Sequence, residues 1–431
     1  MAPLPRFRVY SKPWMYAAIV RDVLTGHAHT GDETRQLEEL VKQHTGAPHA
    51  VCMAKARVGV FLLMRALVPP GKKVILTPYT IADIVNMVVC AGGVPVFADV
   101  ERATANIDPA EIERLIDADT AAVMVTHLHG LSCDMTRIAE ICRRKNVRLI
   151  EDAAQAYSGR WQGKPVGTFG DAGVYSFGMY KNLNSFFGGM VVTQDKELAD
   201  RLRREVAAFP WQETGYYLSK VREAFTTDIA TWPPLFAALT FPIFRYTYVH
   251  DMKFMNGAIT LDANPVLKRT LPETYLRRYT PMQARLVLPQ LADAERKTRA
   301  RIENARIYYE GLRDVPEVIG APFYDDLTHV YLYYTIQVPD RVALVKHLMQ
   351  HGCDLAISHH KNCADLPCFA EFHRDLPNAR AVASSLIYMP TYPRYSASDV
   401  RRNVRLIREF FGTKSATSEV EAVDGVAPRA M

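Results

Sequence analysis

The sequence predicts an α/β protein: a mostly parallel central sheet flanked by helices, followed by a smaller C-terminal α/β unit. Three observations predict it. Between Val74 and Thr193, short β-rich runs alternate with helical stretches, the pattern of strands joined by crossover helices. Residues 208–280 then break the rhythm with a stretch rich in aromatics and proline. After the break a second, shorter alternation begins. A chain of 431 residues is long enough to bury two cores, most simply in two domains.

The strand-like runs are VILTPY (74–79), VPVFADV (94–100), AAVMVTHL (121–128), VRLIEDA (147–153), DAGVYSF (171–177) and GGMVVTQ (188–194). Asp108 to Ile116 and Asp134 to Arg144 carry helical periodicity between them. Residues 281–312 read as one long helix, apolar on one face and basic on the other. The second unit contains the strand HVYLYYTIQV (329–338), the helix RVALVKHLMQHG (341–352) and the final helix SDVRRNVRLIREFF (398–411). Residues 412–431 have the composition of a disordered tail.

Composition narrows the class. The chain is 48% apolar and 23% charged, ordinary for a globular protein. A net charge of +6 over this length is far from a nucleic-acid-binding profile, and it suits small anions or an anionic surface. The start, MAPLPRFRVYSKPW, lacks an apolar core of signal-peptide length, which predicts a cytoplasmic chain. Seven cysteines without an export signal read as reduced thiols. His359, His360, Cys363, Cys368 and His373 lie close in sequence, but they lack the paired short grips of a zinc site, so no metal is expected.

The chemistry-bearing pattern is Asp152, at the end of one strand-like run, and Lys181, just beyond another. In parallel sheets ligands sit at the carboxyl ends of strands. Pyridoxal phosphate asks a protein for a lysine amine, a carboxylate at its pyridine nitrogen, donors for its phosphate and flat groups over its ring. Asp152 and Lys181 supply the first two, and Ser176 offers a hydroxyl for the phosphate. Taken singly, an Asp at a strand end is more often a helix cap and a lone Lys a solvated group.

With these residues in view, IEDAAQA (150–156), GDAGVYSF (170–177), KNL (181–183) and GGMVVT (188–193) resemble the DegT/DnrJ/EryC1/StrS family of sugar aminotransferases. So do GKKVILTPYT (71–80), HLHGLSCDM (127–135), TPMQARLVLPQL (280–291), the NAR of 304–306 and LPNARAVASSLIYMPTYP (376–393). The resemblance implies a fold type I transferase using pyridoxal 5'-phosphate. It would have a large domain over 1–300 with an insertion at about 208–280, and a small domain over 301–411. It implies Lys181 as cofactor anchor and acid/base, Asp152 as the pyridinium partner, Gln155 beside the ring, and Ser176 as a phosphate ligand. The family's Gly-Thr phosphate turn corresponds to Ala56-Arg57, where the arginine would take the phosphate with the helix amides. The ring-stacking position holds Ile81, and the usual Asn before the R-M-x-x-x-Q-A element is replaced by a segment containing Arg278. His127 is compatible with shaping the pocket or with a structural role.

The implied reaction moves an amino group, glutamate being the expected donor, to a keto sugar on a nucleotide, in a homodimer. The family's dehydratases replace the lysine with histidine, so Lys181 points away from them. Two other readings concern the insert. WPPLFAALTFPIF (232–244) has no charge, while Arg222, Arg245, Lys253, Lys268 and Arg269 surround it. Pro233, Pro234 and Pro242 are expected to interrupt any long helix there. The segment suits either burial against a partner subunit or peripheral contact with an anionic membrane face, where a lipid-linked or apolar ketone would be the acceptor. A non-catalytic, membrane-associated binding protein is the rival from outside the enzymes.

Overall fold

The computed structural model describes residues 2–9, 11–250, 264–357 and 359–412; Lys253 and residues 413–431 of the expected tail lie outside them. Seven strands form the main sheet: β1 (His49–Met53), β2 (Lys73–Leu76), β3 (Val94–Phe97), β4 (Thr120–Thr126), β5 (Arg148–Asp152), β6 (Ala172–Ser176) and β7 (Gly189–Thr193). Their order is β1-β7-β6-β5-β4-β2-β3, and β7 alone runs against its neighbours. Helices cover both faces, which is why the strands read as continuous apolar runs rather than alternating ones.

The helix starts follow local chemistry. Asp108 caps Pro109–Leu115 by accepting from the Ala110 amide, and Asp134 caps Met135–Lys145 by accepting from that of Arg137. Asn146 ends the second of these in a left-handed conformation, φ 53°, a state asparagine tolerates.

Beyond the main sheet, β8 (Ile319–Gly320), β9 (Tyr334–Gln337), β10 (Ala356–Ile357) and β11 (Leu386–Met389) make an antiparallel sheet in the order β8-β9-β11-β10. Helices Arg341–Gln350 and Ala397–Phe410 pack their apolar faces on it. Helix Ala294–Leu312 begins in the main-sheet core at Ala294 and ends in the second core at Tyr308 and Leu312. Tyr79–Thr80 pairs with Lys361–Asn362, so a short ribbon ties the two units together next to the main sheet's strand ends.

Three expectations are corrected. Residues 281–312 form two helices, Pro281–Leu291 and Ala294–Leu312. Pro289 has no N–H to bond back along the first, and the chain turns a few residues later. The strand expected over 329–338 is confined to 334–337. Ahead of it Val330 bonds to the Gly130 carbonyl at 2.7 Å, and Tyr331 turns the chain at φ 47°. In the insert, Pro233 and Pro234 do separate helix Thr214–Ala230 from the next, but Pro242 does not stop the second helix. Pro233 and Pro234 occupy its first turn, where no N–H is needed, and a wide π-turn over 236–240 accommodates Pro242 in a helical run to Val249. Helix Thr214–Ala230 precedes it, burying Tyr217 and Ala224 against Phe186, Phe187 and Met282. The Pro233–Val249 run buries Phe236 and Phe241 in the core of the second sheet.

Candidate active site

The site begins at the carboxyl ends of three adjacent parallel strands. β4 ends at Thr126, paired with Asp152 at the end of β5, and Ser176 ends β6 beside it. Lys181 follows in a turn closed by its own amide on the Gly178 carbonyl at 3.0 Å. The loop is fixed from both sides. Asn182 donates to the Tyr157 carbonyl at 3.0 Å, Gln290 donates to the carbonyl of Asn184 at 2.7 Å, and Gln283 to that of Phe187 at 2.8 Å. Gly188, at φ 139°, lets the chain pass where a Cβ would stand 2.4 Å from the Tyr279 ring.

Burial sets the electrostatics. It pulls the Lys181 amine from 10.5 down to about 8; Asp152 opposes the fall and Arg57 adds to it. Burial raises the Asp152 carboxyl, against the Ala154 amide that it accepts at 3.0 Å and the nearby Lys181 and His127. An amine and a carboxylate that each lose water and each feel the other are poised for proton chemistry.

Strand alternation separates this pair from its support. Glu151 points to the opposite face of β5 from Asp152. Wholly buried, it accepts from the amides of Gly167 at 2.7 Å, Phe169 at 2.6 Å and Gly170 at 2.8 Å. His127 Nδ1 accepts from the Cys133 amide at 3.1 Å, so Nε2 carries the proton and donates to Glu151 at 3.2 Å. His127 is therefore a brace beneath the site. Its neighbour His129 is the one that enters it.

His129 sits at φ 60°, fully buried, its amide held by Gln155 Oε1 at 2.8 Å. Both of its ring nitrogens lack a protein partner among the described residues. Tyr79, His360 and Tyr388 surround the ring at centroid distances of 6.0, 5.5 and 5.1 Å. Burial, then His359 and Lys181, hold His129 down at about 3, and burial with Lys181 holds His359 at about 4. These imidazoles are neutral at physiological pH. His359 and His360, grouped in sequence with three other metal-type side chains, thus belong to the Lys181 pocket. Among the described residues no three His, Cys, Asp or Glu side chains form a metal-holding set. Ile81, expected over a ring, precedes helix Ala82–Cys90 as its half-buried N-cap.

Ala56 and Arg57 open the helix Ala56–Leu67, whose N-cap, Lys55, provides no side-chain bond. Its first amides thus lack helical partners and form an anion site by geometry. β7 approaches so closely that a Cβ on Gly189 would stand 2.8 Å from the Ala56 nitrogen. The Arg57 guanidinium is turned onto Asp83, which also binds Lys268 and accepts from the Tyr275 hydroxyl at 3.1 Å. Lys55 lies over the Tyr275 ring at 4.1 Å, and burial, with Arg57 next, brings it to about 8. The sequence offered no sign of Lys55 or of the Arg57–Asp83 pair.

This donor set fits pyridoxal phosphate: an enclosed amine, a buried carboxylate with one backbone donor, open helix amides beside Ser176, and an imidazole with unsatisfied nitrogens. Fold and site define a fold type I pyridoxal-phosphate-dependent enzyme. The chain belongs to the DegT/DnrJ/EryC1/StrS aminotransferase family, whose model matches residues 16–216 and 267–408, and it is accordingly a pyridoxal-phosphate-dependent aminotransferase. The internal unmatched stretch, 217–266, is the body of the insert. The chain is 27% identical over 421 residues to the spore coat polysaccharide biosynthesis protein SpsC of Bacillus subtilis, covering 94% of this chain and 97% of that one. A UDP-4-amino-4-deoxy-L-arabinose–oxoglutarate aminotransferase of Shewanella sediminis is 38% identical over 187 residues, 43% of this chain and 48% of its own. Among solved structures, a family aminotransferase from Brucella abortus superposes with a TM-score of 0.71 at 25% identity, covering 93% of this chain and 95% of that one.

Proposed function

We propose that the protein transfers an amino group from glutamate to the keto carbon of a sugar carried on a nucleotide, working as a homodimer. The observation that carries this reading is the Lys181–Asp152 pair, amine and carboxylate desolvated together at adjoining strand ends. Relatives named for sugar amination and polysaccharide synthesis support the acceptor class.

Bound pyridoxal phosphate supplies an electron sink for the pair released when a Cα–H bond breaks. Asp152 holds the proton on the pyridine nitrogen. Lys181 Nζ, brought to about 8, is neutral often enough near pH 7 to accept the proton from the donor's Cα and deliver it two atoms away. Ser176 and the Ala56 and Arg57 amides grip the phosphate. Gln155 fixes the His129 amide and so holds the pocket wall beside the ring. The neutral histidines leave Lys181 as the pocket's base.

Arg57 acts on the phosphate through its field as well as its amide, since its guanidinium stays with Asp83. Arg57→Ala is expected to weaken cofactor retention about tenfold with the fold intact, the lower end for a charge-assisted contact. Equilibrium dialysis of pyridoxal phosphate checks this, and unchanged affinity would return Arg57 to a purely structural pairing.

The reaction is tested by mass spectrometry of products from a panel of nucleotide-linked keto sugars with glutamate as donor. An amino sugar together with 2-oxoglutarate is the expected result. Conversion of a lipid-linked or simple apolar ketone, with every nucleotide sugar untouched, would overturn the acceptor. Borohydride reduction of the holoenzyme should place the cofactor on the peptide containing Lys181; tagging of Lys164 or Lys196 would overturn the site.

A further inference from the structure

The two helices of the insert bury one face each, and each also exposes a stripe of apolar side chains. On Thr214–Ala230, Leu218, Phe225 and Ile229 are exposed at helical spacing, with Arg222 in the same stripe. On the run to Val249, Leu239, Ile243 and Tyr246 form a second exposed stripe, Tyr246 60% exposed. Trp232, 56% exposed, lies at the junction between them. The run to Val249 is apolar on nearly every side, and such a helix belongs in a core or at an apolar boundary. Here the inner faces are already packed, in two different cores, so the outer stripes are not misplaced core.

We infer that this face lies on an anionic lipid surface. From Ile229 to His250 the chain has one charged residue, Arg245, and no carboxylate. On the preceding helix the carboxylates are engaged: Glu223 binds Lys220 at 2.7 Å, and Asp228 accepts from Tyr16 at 2.7 Å. Arg222 and Arg245 are exposed and make no ion pair among the described residues. A second copy meeting this face about a two-fold axis would set the same free guanidiniums against each other in a shared apolar contact. Anionic headgroups complement them instead, while aromatic and aliphatic side chains reach the acyl boundary. Exposed Trp232 and Tyr246 have the amphipathic rings that favour headgroup depth. No helix among the described residues is long and apolar enough to cross a membrane, which leaves contact from one side. The stripes fall wholly within 217–266, outside the stretches shared with the family, so the family's common architecture does not account for what covers them.

The test is co-sedimentation of the holoenzyme with phosphatidylglycerol–phosphatidylcholine vesicles, against phosphatidylcholine alone, across a salt series. The holoenzyme is expected to pellet with the anionic vesicles and to be released by salt. Arg222→Gln/Arg245→Gln, which leaves every apolar contact in place, should lower vesicle affinity about fivefold per arginine. Leu239→Ser/Ile243→Ser/Tyr246→Ser should abolish pelleting with the mass by light scattering and the cofactor absorbance unchanged, showing a folded, intact assembly. Absence of pelleting by the unmodified holoenzyme overturns the inference, as does pelleting that neither variant alters. Loss of assembly mass in the serine variant, without vesicle binding by the parent, assigns the face to a second copy and overturns it too.

Discussion

Lys181→Met is expected to lose turnover by about four orders of magnitude or more, because in the proposed assignment the change removes the covalent anchor and the proton carrier together. Its folded state should survive. Burial sets Lys181 at about 8 in the protein, against 10.5 for the free side chain. A base depressed in this way binds fewer protons folded than unfolded between those two values, so its penalty on folding is full below about pH 8 and fades as pH rises toward 10.5. At pH 7 methionine relieves that penalty, and thermal unfolding of the cofactor-free protein should come at the same temperature or higher. The same displacement is readable directly. In the cofactor-free parent, modification of Lys181 by an amine reagent should rise through a midpoint near pH 8, followed by peptide mass spectrometry. A midpoint above pH 10 would mean that the amine is solvated, and turnover within tenfold of the parent would remove Lys181 from the chemistry.

What the sequence made legible is what local chemistry decides. Continuous apolar runs marked the covered strands, and Asp108 and Asp134 marked the helix starts they cap. Asp152, Ser176 and Lys181 were legible because strand ends are where a parallel sheet presents ligands, and all three lie within two consecutive strand–loop units. The misses are tertiary. Residues 329–333 have strand composition but spend Val330's hydrogen bond on the turn at Gly130. Pro242 looked like a break because a regular helix interior cannot place it, while a helix with a wide π-turn ahead of it can. His129 gave no local signal: its partners Tyr79, His360 and Tyr388 come from distant segments that meet only once the two units pack. Arg57 is a similar case, a residue at a legible helix start whose charge is claimed by Asp83 on the following helix.

Asp152→Asn retains the fold and binds cofactor, and transaminates about a thousandfold more slowly. The side chains are nearly isosteric, and the one hydrogen bond that the carboxylate takes among the described residues, from the Ala154 amide at 3.0 Å, can be accepted equally by an amide oxygen. The change therefore removes charge and little else. In the proposed assignment that charge would hold a proton on the pyridine nitrogen, on which the cofactor's capacity as an electron sink depends. Asp152 is 5% exposed, so bulk water cannot substitute for it. The loss should appear in kcat and in kcat/KM alike, since the interaction would be stronger in the transition state than in the ground state, and single-turnover mixing with glutamate should show the slow step in the first half-reaction. Unfolding by denaturant should shift by no more than about 1 kcal/mol, the scale of one altered neutral hydrogen bond. Near-parental turnover with a loss of stability would instead make Asp152 a cap for the turn that follows β5, and would sink its assignment as the cofactor's charged partner.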